Sequence, residues 1–254
     1  MPDIALRGEL WDNDSADVLR FWGWRDITAP MDIQAALEAA GGEDVTLLVN
    51  SPGGDMTVGL EIRSMLRRYQ GRTTALFQGY GASAATLAAT GCQTIQSEPG
   101  ALLCYHNPSG GAEGDYRAMR RSAESLRNAR DCILEVYTAR SGAREGIRSR
   151  EELISLMDRD IFITPTQARE YGLIDEIVGA GAEVADPAAF VAAAGSRIRL
   201  TQAMREGYQS HVAGQRAEAA RKEQAERILA RLRVLERFKP AHPPILRNRG
   251  RSPL

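Results

Sequence analysis

Ser83 stands in a run of small residues, Gly79-Tyr80-Gly81-Ala82-Ser83-Ala84-Ala85, between a stretch of β-formers and an alanine-rich helical stretch. Small neighbours let the chain turn sharply from strand to helix, exposing the hydroxyl where a helix N-terminus favours developing negative charge. A nucleophilic serine needs a base, and the choice is narrow. Histidine occurs only at His106, His211 and His242, so the first 195 residues hold one imidazole, His106, ending the apolar run Ala101-Leu-Leu-Cys-Tyr. Gly53-Gly54 follows another apolar run, and adjacent glycines free backbone N–H groups to point at a ligand, as an oxyanion hole requires. A carboxylate must fix the tautomer of such an imidazole; Asp160 and Asp158, in Met157-Asp-Arg-Asp-Ile-Phe162, are the candidates. The chain order Ser, His, Asp differs from the Ser, Asp, His of α/β-hydrolases.

Other chemistries are excluded by what is missing. Lysine occurs only at Lys222 and Lys239, so a Walker phosphate loop, a Schiff base and a Ser–Lys dyad have no lysine in the first 195 residues. Cys92, Cys104 and Cys132 are too few and too irregular for a disulfide framework or a zinc knuckle, and read as buried, reduced thiols of a cytoplasmic protein. One histidine without an acidic or paired-cysteine motif supplies too few ligands for a metal. No cofactor is called for. No apolar run approaches the roughly 18–20 residues of a membrane span, and Met1-Pro2-Asp3-Ile4 lacks a signal-peptide pattern.

The elements that must position these residues follow from periodicity. Asp32 to Ala40 has helical spacing, stopped by Gly41-Gly42. Val45 to Val49 reads as a strand buried on both faces and broken by Asn50-Ser-Pro-Gly-Gly54. Asp55 caps a helix whose apolar face is Val58, Ile62, Met65, Leu66 and Tyr69, ended by Gly71. Thr73 to Phe77 is the next strand, and Ala84 to Ala89 a small-residue helix closed by Gly91. Strand, helix, strand, helix is a βαβ unit and implies a parallel sheet, so both turns meet at its C-terminal edge, where ligands of open α/β sheets bind. Beyond come a strand from Ala101 to His106, a Gly-rich loop from Asn107 to Gly114, and helices over Asp115 to Ala139 and residues 151–157. A capping box at Thr164-Pro165-Thr166-Gln167 opens a helix to Gly172, and a last strand runs from Leu173 to Val178.

In order and spacing, Asn50-Ser-Pro-Gly-Gly54, Gly79-x-x-Ala-Ser83, the strand ending at His106, and Asp160-x-Phe-x-Thr-Pro-x-x-Ala-x-x-Tyr-Gly-Leu-Ile-Asp175 resemble the proteolytic subunit of the Clp protease. The likeness covers roughly residues 4–178. It implies an α/β, ClpP/crotonase-like fold, a Ser83–His106–Asp160 triad, an oxyanion hole from the amides of Gly53 or Gly54 and Ala84, and a homo-oligomeric ring, heptameric or stacked. The chain departs from that pattern in Ala84-Ala85 where Met-Gly is usual, and in a longer segment before Asp160, which keeps Asp158 as a stand-in. Its Trp-rich stretch from Trp11 to Trp24 and its basic tail are also foreign to the housekeeping subunit. These features are more similar to the Clp-related head maturation proteases of tailed phages and prophages.

The resemblance implies an ATP-independent serine endopeptidase acting on protein or peptide, in the bacterial cytoplasm or the prohead. The rival enzyme is a housekeeping subunit fed by an unfoldase ATPase. A catalytically idle assembly protein is the alternative outside enzymes, and a crotonase-type acyl-CoA enzyme would share the fold without a Ser–His pair. Charge divides the chain: residues 196–254 hold 14 basic against 5 acidic residues, the rest 18 against 28. Residues 1–178 read as the protease domain, 179–196 as an Ala/Gly-rich linker, and 197–254 as a basic tail with Ile228, Leu232 and Leu235 on one helical stripe. Its last fifteen residues are Pro- and Arg-rich and read as disordered. The tail's expected docks are its own acidic body or an acidic scaffold or capsid precursor, with a solvated extension that has no partner as the alternative, and nucleic acid is disfavoured for want of aromatics to stack bases.

Overall fold

The structure, a computed structural model, describes residues 1–142, 149–179 and 199–237. The chain divides into two units, Met1–Leu200 and Thr201–Leu254. The first carries β1 (Asp3–Leu10), α1 (Asn13–Phe21), β2 (Ile27–Thr28), α2 (Pro30–Ala40), β3 (Val45–Gly54), α3 (Met56–Arg68), β4 (Thr73–Ala82) and α4 (Ala84–Ala89). It continues with β5 (Thr94–Ser97), β6 (Leu102–Cys104), α5 (Tyr116–Ser141), α6 (Arg150–Arg159), β7 (Phe162–Ile163), α7 (Pro165–Glu170) and β8 (Glu176–Ile177). Eight strands form one sheet in the order β2-β1-β3-β4-β5-β8, with β6 beside the second half of β4 and β7 beside β6. Every pairing is parallel except β6–β7. This is the expected α/β architecture with crossover helices.

Two strands run further than their apolar cores. β3 and β4 each extend about five residues past the hydrophobic run, into Asn50–Gly54 and Gln78–Ala82. The register between them shifts after Val49, so that Ser51 pairs with Gly81. The Ser-Pro-Gly-Gly segment therefore stays in the sheet instead of breaking it, and the irregularity brings Gly53 level with the turn at Ser83. β3 is also not buried on both faces. Val45, Leu47 and Val49 are buried while Thr46, Leu48 and Asn50 are half-buried, the alternation expected of a sheet with one face on the core.

Helices cover the buried face. Asp55 caps α3, its carboxylate accepting from the Thr57 N–H at 2.7 Å, and α3 buries Val58, Ile62 and Leu66. All six residues of α4 are buried. Gly59 lets α3 and α4 touch: a Cβ there would lie 2.5 Å from the Ala84 carbonyl oxygen. The strand expected from Ala101 to His106 is only Leu102–Cys104, and that expected from Leu173 to Val178 only Glu176–Ile177, although the flanking Asp175 and Val178 N–H groups still donate to the Ile95 and Ser97 carbonyls at 2.8 and 2.9 Å.

The second unit is described as one helix, α8 (Gln202–Arg237), whose side chains between residues 202 and 227 are mostly exposed. The side chains of Ile228, Leu232 and Leu235, the linker beyond Gly179 up to residue 198, and the tail's Pro- and Arg-rich end lie outside the described residues. Among the described residues no helix is long and apolar enough to cross a membrane.

Candidate active site

Two non-glycine residues have positive φ among the described residues, and both were singled out from sequence: Ser83 at φ 56° and Asp160 at φ 48°. Asp160 is the left-handed cap of α6, a conformation aspartate tolerates. Ser83, with ψ −129°, lies outside any region favoured by a side chain, at a cost of about 1–3 kcal/mol. Its surroundings hold it there. The Ser83 N–H donates to the Cys104 carbonyl at 2.9 Å, and its own carbonyl accepts from the Thr86 N–H and hydroxyl at 3.0 and 2.7 Å.

The bond to Cys104 brings the end of β6 beside the turn. Ser83, Ala84, Gly54, His106 and Asn107 line one cavity of about 360 Å³, whose far wall is Leu126, Ala129, Ile133 and Tyr137 of α5. Ser83 and His106 share this cavity without a hydrogen bond between them. The imidazole Nδ1–H donates to the Asn107 carbonyl at 2.6 Å. That bond fixes the tautomer, since a carbonyl can only accept, and leaves Nε2 with its lone pair in the neutral ring.

Neither carboxylate hydrogen-bonds the imidazole among the described residues. Asp158 accepts instead from the Asn107 carboxamide at 2.8 Å, one residue removed from the ring. Asp160 lies two residues before Phe162, which faces Cys104 in the antiparallel β6–β7 pair, and His106 lies two residues after Cys104. The Asp160 charge is felt at Cys104, whose thiol is pushed up to about 12 by burial first and by Asp160 second. Asn107 was not foreseen; its position directly after the histidine was the signal.

The two glycines part company. Gly53 is buried and its N–H donates to the Ser51 hydroxyl at 3.0 Å, so that amide is already engaged. Gly54 is exposed and lines the cavity, which Gly53 does not. Gly53 serves by being small, at φ 87°: a Cβ there would lie 2.8 Å from the Ala84 nitrogen. Cys92 and Cys104 are buried, but Cys132 is exposed, because it falls on the outer face of α5. Among the described residues no three His, Cys, Asp or Glu side chains come together as a metal site would need.

Residues 32–181, more than half of the chain, match the Clp protease family. The chain belongs to that family. The ATP-dependent Clp protease proteolytic subunit of Nephroselmis olivacea is 33% identical over 133 residues, 52% of this chain and 62% of that protein. The subunit of the same name from Mesostigma viride is 34% identical over 132 residues, 51% of this chain and 56% of that protein. The chain thus spans about three fifths of the length of these relatives. As a Clp protease family member it carries Gly53, Gly54, Ser83, Ala84, His106, Asp158 and Asp160 all inside the matched stretch, whereas β1, α1 and α8 lie outside it.

Proposed function

We propose that this chain is a serine endopeptidase. One observation carries the reading: a serine held in a strained turn opens onto the same cavity as an imidazole of fixed tautomer and an exposed glycine. In the proposed reaction Ser83 Oγ attacks the peptide carbonyl and His106 Nε2 takes its proton. The amides of Gly54 and Ala84 receive the oxyanion, the first at a sheet end and the second at the N-terminus of α4. The imidazolium then protonates the leaving amine, and water repeats the sequence on the acyl-enzyme. Asn107 holds the ring at rest; Asp160, just before β7, is the carboxylate that stabilises the imidazolium when the site closes on substrate. The protein's own residues supply every proton position required.

Within that class we propose an ATP-independent protease of phage or prophage head maturation, working as a homo-oligomeric ring in the host cytoplasm. The basic tail and the N-terminal Trp-rich stretch, both outside the family match, support this over a housekeeping role. The housekeeping reading is supported by the names of the two relatives. A fluorophosphonate probe tests the chemistry: wild-type protein is labelled, Ser83→Ala is not, and peptide hydrolysis falls by several orders of magnitude, up to roughly 10⁶-fold. Hydrolysis retained in pure Ser83→Ala protein would end the serine-protease reading. Cleavage of a folded substrate only with an ATPase and ATP would decide for the housekeeping role.

A further inference from the structure

The Ser83 turn is tied to the cavity's far wall by a buried pair of hydroxyls. Thr86, on the first turn of α4, is 1% exposed, and Tyr137, on α5, is 2% exposed. The Thr86 hydroxyl lies 2.7 Å from the Ser83 carbonyl oxygen and 2.6 Å from the Tyr137 hydroxyl. A carbonyl only accepts, so the Thr86 proton goes to Ser83. The Tyr137 hydroxyl must then donate to Thr86, and the direction of the relay is fixed: Tyr137 to Thr86 to the Ser83 carbonyl. Relays of this kind inside a protein are stronger than the same bonds in water, because each polarises the next in a low dielectric.

We propose that Tyr137 is a positioning residue: through Thr86 it holds the Ser83 backbone in its positive-φ conformation and so aims the nucleophile. Two features favour this over simple core packing. The tyrosine ring is already seated without its hydroxyl, edge-on to Tyr105 with centroids 5.2 Å apart. And Ala129, Ile133 and Tyr137 stand at successive four-residue steps along α5, so the residue that grips the turn belongs to the wall a substrate would press against. Displacement of the wall is thereby transmitted to the serine by a bond. This rests on the serine-peptidase reading above for its consequence in rate, though not for the tether itself.

The test uses Tyr137→Phe, Thr86→Val and Thr86→Ser in the full chain, with two readouts. The first is the rate of fluorophosphonate acylation together with kcat and KM on a short peptide. Tyr137→Phe lowers acylation and kcat about tenfold, which is about 1.4 kcal/mol in barrier, with KM little changed. Thr86→Val does at least as much, Thr86→Ser restores the rate to within about threefold, and the Tyr137→Phe/Thr86→Val double variant is no slower than Thr86→Val alone, as one shared path requires. The second readout is hydrogen exchange of the Thr86 amide, which donates to the Ser83 carbonyl. It quickens several-fold in Tyr137→Phe and Thr86→Val while distant core amides stay protected, also in a Ser83→Ala background that has no nucleophile. Unchanged exchange in Tyr137→Phe overturns the tether, as do single losses that multiply in the double variant. If wild-type protein takes no label but the exchange change is present, the tether stands and the serine-peptidase reading falls.

Discussion

Gly53 shows how tightly the site is drawn around Ser83. Its φ of 87° disfavours any side chain, and an added Cβ would stand 2.5 Å from the Ala82 carbonyl oxygen and 2.6 Å from Ser83 Cβ. Gly53→Ala is expected to lose about 1–3 kcal/mol of stability, read by chemical denaturation, and most of its fluorophosphonate labelling. Gly111→Ala, where nothing lies within 4 Å, is the control that changes neither. The carboxylate of the proposed triad is tested the same way: Asp160→Asn is expected to lower peptide hydrolysis by orders of magnitude, up to roughly 10⁴-fold, and Asp158→Asn by far less. The reverse ranking would move the role to Asp158, acting through Asn107. The thiols give a pH prediction. Burial leads the causes that push Cys92 and Cys104 up to about 12, so the folded state keeps protons there that an unfolded chain gives up nearer 9. Stability therefore falls as pH rises from about 9 toward 12, and at pH 8 only Cys132 reacts with iodoacetamide in the native state. Ser83 and His106 were legible in the sequence because scarcity pointed to them, one imidazole in 195 residues and one serine in a small-residue turn. Asn107's carbonyl and the Thr86–Tyr137 bond were not, since a main-chain acceptor has no side-chain signature and 51 residues separate the two hydroxyls.

At the scale of elements, the helix that walls the cavity is anchored at its far end. Arg140, near the C-terminus of α5, pairs with Asp175 and donates to the carbonyls of Cys92 and Gln93 at 3.2 and 3.3 Å. Asp175 accepts in turn from the Ile95 N–H at 2.7 Å, so one buried cluster joins α5, β5 and the entry to β8. Both side chains are about nine-tenths buried, where an orphaned partner is costly. Asp175→Ala or Arg140→Ala should each destabilise by about 3–5 kcal/mol, and the double variant by less than the two together. Fully additive losses in the denaturation midpoints would show the pair to be uncoupled. This cluster also explains where periodicity fell short. Leu173 to Val178 looks like a six-residue strand, but the Ile95 N–H goes to the Asp175 carboxylate and not to a main-chain carbonyl, so the ladder narrows to Glu176–Ile177, flanked by the Asp175 and Val178 N–H groups on the Ile95 and Ser97 carbonyls. Helices α2 to α7 were read to within a few residues, because caps such as Asp55, Asp115 and Thr164 are local in sequence, whereas α1 was not expected at all. β5, four residues with one strongly apolar position, left no signal that its burial between β4 and β8 would have supplied.

Over the whole molecule, charge and packing divide at the same place. The first 195 residues carry a net charge of −10 and residues 196–254 a net of +9, and the packed sheet lies wholly in the unit Met1–Leu200. α8 runs for 36 residues with side chains mostly exposed as far as residue 227, so burial contributes little to holding that part of it. An exposed helix of this length is sustained by pairs such as Arg227–Glu223, each contributing about 0.2–0.5 kcal/mol, and its net positive charge would draw an oppositely charged partner. Removing residues 201–254 should therefore leave the melting temperature of the remaining unit and its hydrolysis of a short peptide nearly unchanged. Processing of a large acidic substrate, such as a scaffold or capsid precursor, should slow, because the attraction that concentrates it near the site is gone. The difference between full-length and truncated protein should be largest at low salt and shrink as ionic strength rises past about 0.15 M, where the Debye length falls to about 8 Å. Both rates measured across a salt series decide the matter: a salt-independent difference would assign the tail a role in shape and not in charge, and a collapse of short-peptide hydrolysis on truncation would mean that α8 helps assemble the active site itself.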